Sequence, residues 1–214
     1  VQNYSGAGES EAIFGQFSYR FAEDWSLTLG ARSTEEDKEG FKEYVGIISA
    51  SGEGSFDDTT STFILEHDYS ENTNVYFKVA EGFKAGGFNA ESSNPFAAST
   101  PYAPETIEST ELGLKGRYLD NRMMLNIAYF DNEHEDMQIS YFNADAAAAS
   151  EVINQSASIS GLEVESMTML NDSTVLTLNF STLDAETTGN KRAQDGFLVN
   201  NIPYSPEKTL YASL

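Results

Sequence analysis

Metal coordination is the first chemistry that this sequence could support, because imidazole and carboxylate groups occur side by side in it. His134 lies in the segment DNEHED at residues 131–136, which offers carboxylate oxygens and one imidazole as ligands for a divalent cation. In an extended strand, however, neighbouring side chains point to opposite faces and do not converge on one ion. We therefore assign no metal site and retain His134 as the one candidate ligand.

Catalysis would need nucleophilic or acid–base groups at recognisable spacings. The sequence contains neither Gly-x-Ser-x-Gly nor His-Glu-x-x-His. Gly82, Gly86 and Gly87 are not followed by Lys-Ser or Lys-Thr, so they do not form a phosphate-binding loop. No cysteine is present, which removes disulfides and thiolate metal sites. The sequence predicts a protein that is not an enzyme and that uses no cofactor.

Ligand binding is the remaining chemistry, and one polar segment near residues 84–106 carries the residues for it. The candidate side chains in and beside this segment combine aromatic area with polar tips, as the walls of ligand pockets do. Ordinary packing within a loop explains them equally well, so both interpretations stay open. The candidate ligand-binding residues are Phe83, Phe88, Asn89, Phe96 and Tyr102.

The elements that would position these residues are strands with a period of two. In the segment around Phe77, apolar side chains alternate with polar ones, and the same holds around Leu114. Alternation alone does not distinguish a soluble sandwich from a membrane barrel. The charged residues, however, would all share the face opposite the apolar one, which suits a polar interior because a basic residue facing lipid costs about 2–4 kcal/mol. They are Glu66, Lys78, Glu111, Lys115, Arg117, Glu163 and Glu165.

The lengths of the connections favour the barrel. Short turns recur at intervals of roughly fifty residues, at 22–24, 70–74, 119–122 and 171–173. Between them we expect long polar loops, at about 34–60, 84–106, 132–159 and 183–203. We therefore predict an all-β fold: an antiparallel up-and-down transmembrane β-barrel, here a partial set of about nine strands with short periplasmic turns and long extracellular loops.

Aromatic residues gather beside the short turns. Phe21, Trp25, Tyr69 and Tyr118 each lie next to one of them. Such side chains bury a ring and keep a polar edge wet, so they are predicted to anchor the barrel at the membrane interface. His67 falls on the apolar face near the same end, and we interpret it as an interfacial residue rather than a ligand.

Several segments resemble the barrel of TonB-dependent outer-membrane receptors, and they occur in that family's order. They are WSLTLGAR at 25–32, EGFKAGGFN at 81–89, PETIESTELGLK at 104–115, MLNIAYF at 124–130 and NQSASISGLEVE at 154–165. The resemblance implies a partial barrel domain over residues 1–214 of a larger receptor, with no counterpart here of the family's plug domain. It implies ligand-gated uptake of a siderophore, cobalamin or glycan across the outer membrane of a bacterial cell. It also implies coupling to the TonB energy-transducing complex through the plug.

The balance of acidic and basic residues limits the classes of partner to be expected. The chain has 34 acidic and 12 basic residues and a formal net charge of -22, which argues against nucleic acid because phosphates are bound by Lys and Arg. The expected partners are the lipid bilayer of the outer membrane, the TonB complex and a small nutrient ligand. A passive porin-like barrel or an adhesive barrel remains the alternative function.

Overall fold

Nine strands make one antiparallel sheet in chain order in a computed structural model, which describes residues 2–44, 48–89, 92, 99–143, 149–188 and 202–214. Within these ranges no helix is long and apolar enough to cross a membrane. The strands are β1 Gln2–Ala22, β2 Trp25–Tyr44, β3 Ile48–Ser70, β4 Thr73–Lys84, β5 Glu105–Tyr118, β6 Met123–Asn143, β7 Ala149–Asn171, β8 Thr174–Thr187 and β9 Lys208–Ser213. The predicted all-β, antiparallel fold is confirmed.

Four short turns join the strands at one end of the sheet, as predicted. They occupy residues 23–24, 71–72, 119–122 and 172–173. Leu119, Asp120 and Asn121 have φ values of 55°, 56° and 66°, which is the left-handed region. Asp and Asn tolerate this conformation because their short polar side chains bond to the local backbone.

The register aligns the apolar residues of all nine strands on one face, which we call the apolar face. One cross-strand row runs through Tyr19, Leu27, Leu65, Phe77, Leu112, Tyr129 and Leu162. A second row runs through Trp25, His67, Val75, Leu114, Ile127, Val164, Phe180 and Leu210. The pattern predicted from the alternation is therefore continuous from β1 to β9.

Charges of both signs occupy the opposite, polar face. Lys78 and Glu111 are cross-strand neighbours, with Nζ and Oε2 3.7 Å apart. The hydroxyl of Tyr76 donates a hydrogen bond to the same carboxylate, and the ammonium group of Lys115 lies 5.0 Å from the Tyr76 ring centroid. Glu163 and Glu165 follow on the same face of β7. The polar face thus holds an interconnected polar surface rather than a hydrophobic core.

A cluster of rings lies beside the short turns on the apolar face. The Trp25 and His67 rings stack with centroids 4.3 Å apart, and Tyr69 meets His67 edge-on at 6.4 Å. The phenol of Tyr118 covers Gly116 and accepts a hydrogen bond from Thr73, with the two oxygens 3.2 Å apart. The structure places His67 among aromatic neighbours, as the interfacial interpretation requires.

Several strands extend much further than predicted, and this corrects two of the expected loops, at 34–60 and 132–159, whereas the fourth is retained as the connection between β8 and β9 at residues 188–207. β2 and β3 pair as far as Tyr44 and Ile48, so the acidic segments 35–39 and 53–58 lie within strands. β6 and β7 likewise pair from Asn143 and Ala149, and β8 continues to residue 187. The acidic segments 35–39 and 53–58 carry polar residues on both faces apart from Phe56, so the period-two signal of a half-buried strand is absent from them. The prediction of a long connection between β4 and β5 is confirmed, at residues 85–104.

Candidate ligand-binding site

The connection between β4 and β5 folds back onto the polar face. We call its described residues 85–89 and 99–104 the strap. Ala85 is only 5% exposed, and Gly86 and Gly87 are buried beside it. Gly87 and Tyr102 form an antiparallel bridge with N–O distances of 2.8 and 3.4 Å. This bridge ties the outgoing and returning halves of the strap together.

Phe88 seats the strap on β2 and β3. Its ring covers Gly40 and Gly52, which are direct cross-strand partners. A β-carbon built on Gly40 would lie 3.0 Å from Cγ of Phe88, and one on Gly52 would lie 2.5 Å from its Cε1 atom. The ring thus occupies the space that side chains would fill at both positions, because glycine lets another group approach the backbone closely.

Phe56 of β3 supports the strap from the polar face. Its side chain is 8% exposed, and its ring lies over Gly54 and Gly86. Lys38 donates a hydrogen bond from Nζ to the Gly86 carbonyl at 3.0 Å and lies 6.0 Å from the Phe56 ring centroid. Sequence reasoning missed Phe56 because it lies in a segment expected to be an acidic loop. The signal was a lone aromatic residue between Gly54 and the neighbouring acids.

Three side-chain amides attach the strap to β6 and β7. Asn89 donates to the Val152 carbonyl at 3.1 Å and accepts from the Val152 N–H at 2.7 Å. Asn154 makes the same double contact with Ala103, at 2.9 and 2.8 Å. Gln138 donates from Nε2 to the Ala85 and Ala103 carbonyls at 2.9 and 3.2 Å. Each amide satisfies backbone groups that would otherwise lack a strand partner.

A buried polar chain crosses the same region. Lys42 is 1% exposed and donates to the backbone carbonyl of Ser92, while the Ser92 hydroxyl donates to the carboxylate of Glu151. Removing a charge from water is costly unless hydrogen bonds compensate it. The contacts of Lys42 and Glu151 with Ser92 provide such bonds and link β2 to β7 through the connection.

His134 lies where the strap meets the sheet, and its neighbours there do not form a metal site. Its Nδ1 atom is 3.1 Å from Glu105, whose carboxylate also accepts from the Gln138 N–H at 3.0 Å. Asp131 and Glu133 point to the other face, as strand alternation requires. Across the described ranges no three His, Asp or Glu side chains are grouped to hold a metal ion. His134 is therefore placed as a partner of Glu105, and its role as a metal ligand stays a prediction.

The five predicted ligand-binding residues fall into three groups. Phe88, Asn89 and Tyr102 come together in the strap, and burial raises the pKa of the Tyr102 phenol, with a smaller effect from Tyr4. Phe83 pairs with Thr106 on the same side of the sheet as the apolar face, away from the strap. Phe96 lies outside the described residues. Contact of these residues with a ligand stays a prediction.

The arrangement is suited to binding a ligand rather than to making or breaking covalent bonds. The strap carries an aromatic ring and a phenol that are both half-buried, and three side-chain amides hold it in place. Loops that carry binding residues are commonly held by a rigid scaffold in this way. Sequence reasoning identified part of this surface but did not identify Gly40 and Gly52, whose importance follows only from the ring that lies on them.

Comparisons with known proteins agree with the fold. A family model described as "TonB dependent receptor-like, beta-barrel" matches residues 1–213. The ferric yersiniabactin uptake receptor FyuA from Yersinia pestis is similar with a TM-score of 0.80 and 19% identity, over 98% of this chain and 31% of that one. The siderophore receptor PiuA from Acinetobacter baumannii gives 0.75 and 18%, over 97% and 31%. The copper transporter OprC gives 0.70 and 14%, over 85% and 30%.

The matched structures are much longer than this chain. The chain spans about a third of the length of the solved structures that it matches. At identities below one fifth, the likeness of the structures concerns the fold.

Proposed function

Because this chain belongs to the TonB-dependent receptor family, whose β-barrels lie in the bacterial outer membrane, we propose that it forms part of a receptor that imports a small nutrient ligand. The observation that carries the proposal is the strap: a connection with Phe88, Asn89 and Tyr102 folds onto the polar face instead of extending away from the sheet. In a barrel of this family the polar face lines the lumen. The strap then lies on the route of a ligand through the barrel.

A siderophore is the ligand class that we propose first. Among the similar structures, PiuA is named as a siderophore receptor, FyuA as a ferric yersiniabactin uptake receptor and OprC as a copper transporter. An aromatic and phenolic surface can pack against the rings or chelating groups of such a molecule. Cobalamin or a glycan would be an alternative outcome of the same uptake experiment.

Energy for this transport would come from the TonB complex, through a plug domain in the whole receptor. Family membership supports this part of the proposal. No feature of the described residues favours a passive porin or an adhesive barrel over uptake, and the comparisons do not support either function.

Uptake of radioactive iron tests the proposal. The whole receptor that contains this chain would be expressed in a bacterial strain without siderophore receptors of its own, and in the same strain without TonB. We expect siderophore-bound iron to accumulate in the first strain and not in the second. Accumulation that persists without TonB would identify a passive pore. Surface binding without accumulation in either strain would identify an adhesive barrel.

The identity of the ligand requires a separate measurement. Mass spectrometry of the receptor purified from its native membrane would detect a ligand that copurifies with it. A ferric chelate would support the proposed class. A corrinoid or an oligosaccharide would replace that class and leave the uptake mechanism unchanged.

A further inference from the structure

The glycines under the strap point to a role in positioning. We propose that Gly40 and Gly52 are positioning residues: they fix the depth at which Phe88 rests on the polar face and thereby set the place of Asn89 and Tyr102. The effect of this placement on ligand binding rests on the function proposed above. The placement itself does not depend on what the receptor transports.

The glycines form a row across three strands. Gly6 pairs with Gly40, and Gly40 pairs with Gly52, so β1, β2 and β3 each lack a side chain at the same level. On the same face of β2, the positions on either side of Gly40 carry Lys38 and Lys42. Glycine weakens a strand because it adds no packing and loses more conformational freedom on folding. A row of three therefore calls for a compensating contact.

Space, rather than backbone conformation, accounts for glycine here. Neither Gly40 nor Gly52 has a φ angle in the left-handed region, so an alanine could adopt either backbone. At Gly40 a β-carbon would approach the β-carbon, Cγ and Cδ2 of Phe88 at 3.0–3.2 Å, which requires a small displacement of that ring. At Gly52 it would meet Phe88 and also the backbone carbonyl of Ser99, so the strap itself must move.

Two other glycines of the sheet provide matched controls. A β-carbon on Gly8 would make ordinary contacts at 3.6 and 3.7 Å, and Gly8 lies on the same face as the row. A β-carbon on Gly15 would meet nothing within 4 Å. Alanine at these two positions changes strand propensity as it does at Gly40 and Gly52, but it does not touch the strap.

Displacement of Phe88 would move the candidate ligand-binding residues with it. Gly87, which precedes Phe88, is bridged to Tyr102, and Asn89, which follows it, is bonded to Val152. The ring therefore lies between the two attachments of the strap. A shift at the ring changes the distance between Tyr102 and β7, which is a change in the geometry of the site rather than in the stability of the sheet.

Cysteine labelling of the whole receptor on intact cells would measure the position of the strap. Ala85 is only 5% exposed, so the thiol of an Ala85→Cys variant would react with a membrane-impermeant maleimide only when the strap is displaced. We expect Gly52→Ala to raise the labelling rate about tenfold and Gly40→Ala about threefold, because overpacking shifts the population toward a displaced strap. Gly8→Ala and Gly15→Ala should leave the rate unchanged. A Gly52→Ala rate equal to that of Gly8→Ala would overturn the proposal.

A double-mutant cycle separates positioning from general destabilisation. The three atoms nearest to a β-carbon at Gly40 all belong to Phe88, so Gly40→Ala should add nothing to the labelling rate once Phe88→Ala is present. Gly52→Ala should keep part of its effect, because the Ser99 carbonyl remains. Equal effects of Gly40→Ala with and without the ring would overturn the proposal. This cycle also stands if Gly52→Ala fails to assemble.

The concentration dependence of siderophore-iron uptake tests the effect on the ligand. We expect Gly40→Ala to raise the half-saturating concentration about threefold and to leave the maximal rate unchanged, because the strap shifts while the barrel and its energy coupling stay intact. An unchanged half-saturating concentration, with altered labelling, would overturn the effect on ligand binding alone. A wild-type receptor that takes up no siderophore, with labelling as expected, would overturn the proposed function and leave the positioning role standing.

Discussion

The apolar rows beside the short turns and the strap on the polar face are stabilised in different ways. Every strand contributes to the rows, and members inside a row have cross-strand neighbours on both sides, such as Leu65 and Leu112 around Phe77. The strap depends on single contacts: one ring on two glycines and three side-chain amides. The rows are therefore insensitive to the size of any one side chain, whereas a single methyl group can displace the strap.

The solvent of each region explains this difference. Row residues such as Leu112, which is 54% exposed although it has a neighbouring strand on each side, complete their surroundings with lipid. Lipid chains adapt to the shape of a side chain but do not solvate a charge. The rows therefore require apolar residues and place little restriction on their size. The strap packs against the sheet through Phe88 and Phe56, and closely packed protein responds to a change of one methylene group.

The largest expected effect is that of a charge in the apolar rows. Ile127→Arg should cost about 2–4 kcal/mol, because a basic side chain would face hydrocarbon. Asn126→Arg, one position along β6, is the control, since its side chain faces the polar side near Glu165. The amount of heat-resistant folded receptor in outer-membrane fractions measures the effect. Loss of folded receptor from both variants alike would contradict the assignment of the faces.

Site-directed labels test the same assignment without altering charge. Labels that report hydrocarbon should do so at Leu27, Phe77, Leu114 and Leu178. The neighbouring positions Thr28, Lys78, Lys115 and Thr177 should report water or protein. Equal water accessibility of the two sets would refute the barrel.

The next largest effect is that of a cavity under the strap. Phe56→Ala should destabilise the strap by about 3 kcal/mol, since truncating a buried phenylalanine costs about 3–5 kcal/mol and this one has an open edge. Phe14→Ala is the control, because Phe14 is 74% exposed. Hydrogen exchange at the Gly87 and Tyr102 amides measures local opening. Exchange that stays slow after the loss of Phe56 would mean that the amides alone hold the strap.

These two regions also differ in how far the sequence predicts them. Leu27, Phe77 and Leu114 carry the same period-two signal in different strands. This repeated signal makes the part of the sheet near the short turns predictable from the sequence. The acidic segments 35–39 and 53–58 are polar on both faces apart from Phe56, so no alternation marks them as strands. Pairing with an extended neighbour supplies the information that the local pattern lacks.

The candidate site was predictable only where residue type alone carried the signal. Phe88, Asn89 and Tyr102 stand out in a polar segment, and the structure brings them together. Gly40 and Gly52 look like ordinary strand glycines, because the ring that makes them special lies far along the chain. Phe83 is predicted to be a ligand-binding residue only because it lies close to the other candidates in the sequence. Its position in the alternation of β4 places its side chain on the apolar face, opposite the strap.

A smaller effect is expected from removal of one amide attachment. Asn89→Ala leaves the N–H and C=O of Val152 without their partner, which costs about 1–2 kcal/mol in a half-buried position. The replacement of the exposed Asn3 by Ala is the control. Hydrogen exchange at the Val152 amide should accelerate in the first variant and not in the second. An unchanged exchange rate would mean that water or β6 satisfies these groups.

The smallest expected effect is that of Phe83→Ala on uptake, and its smallness is informative. Phe88→Ala and Tyr102→Ala should raise the half-saturating ligand concentration, because both residues belong to the strap. Phe83 is an aromatic residue only five positions before Phe88, yet it lies beside Thr106 on the other side of the sheet. Its loss should leave uptake unchanged once the amount of folded receptor is matched. If Phe83→Ala weakened uptake as much as Phe88→Ala, the ligand would have to reach both faces of β4, which a ligand confined to the lumen cannot do.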